Sequence, residues 1–127
     1  MRVVTVKTGN YSRTGGLSAT ESALKDGIVF DAIFSHNDAM AAGSRLALRA
    51  AGIDPRSVPT IGIDYLQETR DAIRKGEQLA SFTYPTCGKE GARVAVDILN
   101  GKTVPKYIEV PSQIVTRENV ESVSPIF

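Results

Sequence analysis

The 127-residue chain has one cysteine and one histidine, and no apolar run in it is long enough to cross a bilayer. Each scarcity excludes something. Cys87 alone rules out an internal disulfide and any multi-cysteine metal site; it reads as a small filler near a helix start. His36, with no second histidine and no cysteine beside it, is a poor metal ligand, and no metal or cofactor is expected. Charge of one sign is lacking too. Fifteen Lys and Arg stand against fourteen Asp and Glu, leaving +1. No basic stripe points to nucleic acid, and no acidic tail points to a disordered arm. The opening "MRVVTVKTGN" lacks the apolar core and small-residue cleavage site of a signal peptide. That leaves a cytoplasmic protein or a piece of a longer chain. Phosphate-binding glycine patterns are missing as well: "TGG" is too short, and neither a Walker pattern nor GxGxxG appears.

What is present is an alternation. Apolar residues make up 42% of the chain, enough for the core of one modest domain. Short β-branched segments are expected as strands at Val3–Gly9, Phe30–Ser35 and Val58–Asp64, and "QLASFTYP" as a fourth, stopped by Pro85. Between them lie helical patterns. "LSATESALKDG" has capping-box spacing at Ser18 and Glu21 and a stop at Gly27. "DAMAAGSRLALRAAG" stops at Gly52, and "LQETRDAIRKG" at Gly76. "GKEGARVAVDILNG" places Ala92, Ala95, Val96 and Leu99 on one side. The tail "KYIEVPSQIVT" reads as extended, interrupted at Pro111. Strands apolar on both faces, alternating with helices, indicate an α/β fold: a three-layer parallel sheet with helices on both faces and right-handed crossovers.

In such sheets ligands meet the carboxyl ends of the strands. Asn10, Tyr11, Ser12 and Arg13 follow the first predicted strand, His36, Asn37 and Asp38 the second, Asp64 and Tyr65 the third, and Thr83 and Tyr84 the fourth. Each offers planar or hydroxyl hydrogen-bonding groups that do not belong in a core. Asn37 and Asp38 compete for one role, the cap of the following helix. Asp38 is read as the cap, which leaves Asn37 freer to face a ligand. Asp64 serves equally as cap or ligand group, and Arg13 as solvated charge or ligand group. A hydrolase built on Ser35, His36 and Asp38 is disfavoured, because neighbours on one strand end point apart while a triad converges from separate segments.

The segments "AIFSHNDAMAAGSRLALRAAGI", "VPTIGIDYLQETRDAIRKGEQLASFTYP" and "ILNGKTVP", in that order and spacing, resemble the C-terminal half of type I periplasmic sugar-binding proteins. These are the ribose-binding-protein-like receptors of ABC transporters and sensor kinases. The resemblance runs from about Val3 to Val120. It implies a single periplasmic-binding-protein lobe over residues 1–127, without enzymatic chemistry, that binds a sugar or polyol. By position it assigns Arg13, Asn37 and Asp64 to the ligand, with Tyr84, or Thr83 beside it, at the fourth strand. It implies a periplasmic location, a membrane permease or sensor as partner of the intact receptor, and a second, N-terminal lobe. Helix 88–100 would then belong to that missing partner lobe. In the isolated chain its apolar face would drive pairing into a homodimer, by exchange of this helix or of the final strand. An oligomerisation or sensor module with an idle pocket, and a LacI-type effector domain, are the alternatives.

Overall fold

The structure is a computed structural model and describes residues 1–126. Helix α1 spans Arg13–Lys25, strand β1 Ile33–Phe34, helix α2 Asp38–Ala50, strand β2 Thr60–Asp64, helix α3 Gln67–Arg74, strand β3 Ala80–Thr83, helix α4 Gly88–Leu99 and strand β4 Ile114–Val115. They form one sheet in the order β1-β2-β3-β4. The first three strands run parallel, and β4 returns antiparallel to β3.

The α/β class holds, and the layering has a physical reason of its own. Strand pairing advances in one direction, from β1 to β2 to β3. Right-handed crossovers then place α2 and α3 on the same face. Gly62 sits on that face, and a side chain there would meet the Asp38 carboxylate of α2 at 2.0 Å. Ser81 is its register partner on β3, and Val115 is the partner of Ser81 on β4. Val115 joins Tyr65, Ile73 of α3 and Val120 in the apolar core. Side chains alternate along a strand, so the opposite face carries Phe34, Ile61, Ile63, Phe82 and Ile114. In this chain that face is open: Phe34 is 62% exposed.

Helix α1 lies against α2, and two glycines set how closely. A Cβ on Gly43 would fall 2.0 Å from the Arg13 carbonyl oxygen, and one on Gly16 would fall 2.2 Å from that of Met40. A buried bond from the Thr20 hydroxyl to Ser44, at 2.8 Å, crosses the same interface. Close packing here explains why α1 begins earlier than its capping-box signal at Ser18 suggests. Ser12 is the observed cap, accepting from the Gly15 N–H at 3.0 Å. Glycines 15 and 16 are helical despite a propensity cost of roughly 1 kcal/mol each relative to alanine. Gly27, Gly52 and Gly76 end their helices with positive φ, as the sequence indicates.

Residues 3–9, expected as a strand, pair with nothing. The segment forms no regular element and its valines face solvent, with Val6 84% exposed. A strand exists only as part of a ladder, and β1, the nearest sheet edge in sequence, is two residues long and pairs only with β2. Lys7 instead ties this segment to α1, donating to Ser22 at 3.0 Å and Asp26 at 2.6 Å.

Between β3 and β4 the chain makes an excursion. Residues 84–112 leave the sheet, form α4 and come back, and α4 buries none of its residues. The neck is pinned. The Thr83 N–H donates to the Gln113 carbonyl at 2.9 Å, the Gln113 N–H to the Thr83 hydroxyl at 2.9 Å, and the Ser112 hydroxyl to the Thr83 carbonyl at 2.6 Å. Cys87 stands at the start of α4 as expected, but it is exposed and fills nothing.

Candidate functional site

The N-termini of α1, α2 and α3 and the carboxyl ends of β1, β2 and β3 share one edge of the sheet. Contacts between separate segments fix this. The Asn37 amide donates to the Tyr11 carbonyl at 3.1 Å, joining the rim of α1 to that of α2. Asp38 accepts from the Tyr65 N–H at 2.8 Å, joining α2 to the end of β2. Arg13 pairs with Glu68 in the first turn of α3. Thr83, immediately before Tyr84, is the register partner of Asp64. Arg13, Asn37, Asp64 and Tyr84 therefore border one rim.

The cap of α2 falls one residue earlier than the sequence expectation, which gave it to Asp38. Asn37 is the cap: its side-chain oxygen accepts from the Met40 N–H at 2.9 Å. Asp38 is 1% exposed and acts as a buried hub. Besides Tyr65 N–H it accepts from the Ser81 hydroxyl at 2.7 Å and the Gln78 amide at 2.8 Å. Asn37 lies in the extended conformation that a cap requires, whereas Asp38 already belongs to the helix and points under the sheet end. Gly62 leaves room for it, so the "ND" of one segment and the "G" of "IGID" form a single packing device. His36 stays outside, edge-on to Phe34 at 5.6 Å between ring centres, and makes no bond to Asp38. No nucleophile–base pair forms from Ser35, His36 and Asp38.

Asp64 is the charged ligand candidate at this rim left without a partner among the described residues. It is half-buried at the end of β2, and among the described residues no hydrogen bond or ion pair engages its carboxylate. Burial, with the nearby Asp38 charge adding to it, raises its pKa. Its backbone is strained as well, with φ 108°. Asn10, Tyr11 and Tyr65 also hold positive φ, at 47°, 53° and 59°, so four strained residues cluster along this edge.

Sequence reasoning missed Glu68 and Arg45. Glu68 holds Arg13 with one oxygen, and its other oxygen lies 3.9 Å from Arg45. Arg45 is 3% exposed and donates to the Gln78 side chain, and burial lowers its pKa. Arg13, Glu68, Arg45, Gln78 and Asp38 thus form a continuous polar line from rim to core. An acidic residue in the first turn of a helix is so common a signal that it marks no such role. At the fourth strand, the Thr83 hydroxyl is used in the neck, while Tyr84 is exposed and hydrogen-bonded to nothing among the described residues. A surface depression of about 660 Å³, lined by Arg49, Asp54, Arg56 and Lys75, lies at the opposite end of the strands, away from this rim.

Comparison with known proteins identifies the family of this wound α/β lobe, which carries planar polar groups and a free carboxylate along its strand ends. Residues 1–103 match the model of the periplasmic binding protein domain, and the chain belongs to that family, as a type I sugar-binding-protein lobe. The ribose import binding protein RbsB of Bacillus subtilis is 32% identical over 120 residues, covering 93% of this chain and 38% of the relative. An ABC transporter solute-binding protein from Bacillus halodurans, solved with bound myo-inositol, is 32% identical with a TM-score of 0.86, covering 95% of this chain and 42% of that one. The myo-inositol-binding protein of Caulobacter, solved with myo-inositol, is 30% identical with a TM-score of 0.87, covering 98% and 43%. The chain thus spans about two fifths of the length of these relatives.

Proposed function

We propose that this chain is the ligand-gripping lobe of a receptor for a monosaccharide or cyclitol, working without chemistry. In this reading Asp64, Asn37 and Arg13 bind hydroxyl groups and Tyr84 borders them. The intact receptor works in the periplasm and hands its ligand to a membrane permease or a sensor. A second lobe closes over the ligand, and α4 with its flanks, residues 88–100, belongs to that lobe. The observation that carries the reading is the unpartnered, half-buried Asp64 carboxylate on a strained strand end. A carboxylate in that position accepts paired hydrogen bonds from vicinal hydroxyls, and a guanidinium and a carboxamide nearby donate to the remaining lone pairs. The relatives named for ribose and solved with myo-inositol carry ligands of this chemistry.

One lobe supplies about half the contacts. A receptor that binds at about 1 μM has about 8 kcal/mol of affinity, and half of that corresponds to roughly 1 mM. Titrating the isotopically labelled chain with myo-inositol and with ribose, followed by amide resonances, tests this. Millimolar ligand should shift Asn37, Asp64 and Tyr84 and leave Arg56 and Lys75 at the far end unmoved. Asp64→Asn should abolish the shifts. Submicromolar affinity, shifts that survive Asp64→Asn, or no shift at the rim would each overturn the assignment.

A further inference from the structure

Arg13 is the first residue of α1, where a cation opposes the helix dipole, and no acidic residue in that first turn offsets it. The N-termini of α2 and α3 open on the same edge. An unpaired guanidinium in such a place would attract a carboxylate or a phosphate. The chain supplies the anion itself. Glu68, in the first turn of α3, holds Arg13 at Nη2. That nitrogen is common to both edges by which a guanidinium grips an oxyanion in paired bonds. The two side chains are 51% and 47% exposed, so a ligand at the rim can reach them. An exposed pair alone holds weakly, but this one is backed from inside. The other Glu68 oxygen lies 3.9 Å from buried Arg45. Arg45 in turn donates to the Gln78 side chain, and the Gln78 amide donates to Asp38 at 2.8 Å. Asp38 offsets Arg45 and Glu68 offsets Arg13, which leaves Asp64 as one uncompensated carboxylate. All of these contacts run between elements of this lobe.

We propose that Glu68 sets the charge specificity of the rim: by occupying Arg13 it makes the site reject anionic polyols, such as sugar phosphates and sugar acids, and admit neutral ones. The inference rests on the ligand reading above for where the ligand sits, and concerns which members of that class are kept out. Glu68 is a positioning residue that acts through Arg13. A neutral hydroxyl accepts from the Nε–H or Nη1–H of the paired guanidinium and leaves the pair intact. An anion has two options, and both are unfavourable. It displaces Glu68 and forfeits the existing pair, or it stands beside Glu68 and Asp64, two charges of its own sign. Rejection of this kind is built from a repulsive element as much as from contacts to the accepted ligand.

Titrations of the labelled chain with myo-inositol and with myo-inositol 1-phosphate, followed by amide resonances, test this, because the two ligands differ only in the phosphate. The unmodified chain should prefer the neutral ligand. Glu68→Gln keeps the size of the side chain and removes its charge. The ratio of phosphate to myo-inositol affinity should then rise by at least ~10-fold, the scale of one hydrogen bond to a charged group. Adding Arg13→Gln to Glu68→Gln should remove the gain, a result that a merely structural role for Glu68 does not give. Three results refute the proposal. The unmodified chain prefers the phosphate; or Glu68→Gln leaves the ratio unchanged, so that Asp64 alone keeps anions out; or the gain survives Arg13→Gln. Absence of rim shifts with myo-inositol sinks the ligand reading instead. The phosphate affinity of Glu68→Gln against that of the unmodified chain still decides the role of Glu68.

Discussion

Asp64 shows how one side chain can be set against the stability of its own fold. Its pKa is raised in the folded lobe by burial and by Asp38. A folded-state value above the unfolded one means the folded lobe holds this proton more tightly. Stability on this account is greatest at low pH and falls as pH rises from the ordinary carboxyl range through the raised value. Asp64→Asn removes the penalty. Its melting temperature should exceed that of the unmodified chain at pH 7, and the gap should close as pH falls below the ordinary carboxyl range. A lower melting temperature at pH 7 would show that the carboxylate is stabilising. Greater stability together with lost ligand shifts is what a residue kept for binding predicts. Asp38, at the start of α2, is fully engaged: four donors converge on it, from Tyr65, Leu66, Gln78 and Ser81, and nothing of it is left for a ligand.

The elements divide by what their signals depend on. Helix α2 was legible because period, cap and glycine stop coincide within its segment, α3 because period and glycine stop do, and β2 and β3 because their apolar runs are central. Val3–Gly9 misled for the reason that β propensity describes fitness for a sheet and not the presence of a neighbour. The start of α1 was hidden because glycines at its first turn argue locally against helix, and the reason for them lies on another element. Asn37 and Asp38 could not be told apart in sequence, since both cap well and only the room left by Gly62 separates them. The Arg13–Glu68 pair spans fifty-five positions, beyond any local pattern. The α1–α2 contact supports a prediction at this scale. Gly43→Ala improves helix propensity by roughly 1 kcal/mol but drives a methyl into backbone, where overpacking costs typically 1–3 kcal/mol. Denaturant melts should show net destabilisation. An unchanged or raised midpoint would mean that the two helices part freely.

As a whole the molecule is a lobe with an inserted arm, and the neck makes the two separable. Strands β3 and β4 are antiparallel neighbours, so a short turn can join them directly. Replacing residues 85–111 by a two-residue Asn-Gly turn should keep the core around Tyr65, Ile73, Val115 and Val120. Cooperative melting should remain. A truncated chain that fails to melt cooperatively would show the arm to be part of the folding unit. The same neck gives the chain a use in engineering. Because its two strands enter and leave a hydrogen bond apart, any foreign module with adjacent ends can be spliced there as a cassette, and the lobe becomes a plug-in scaffold.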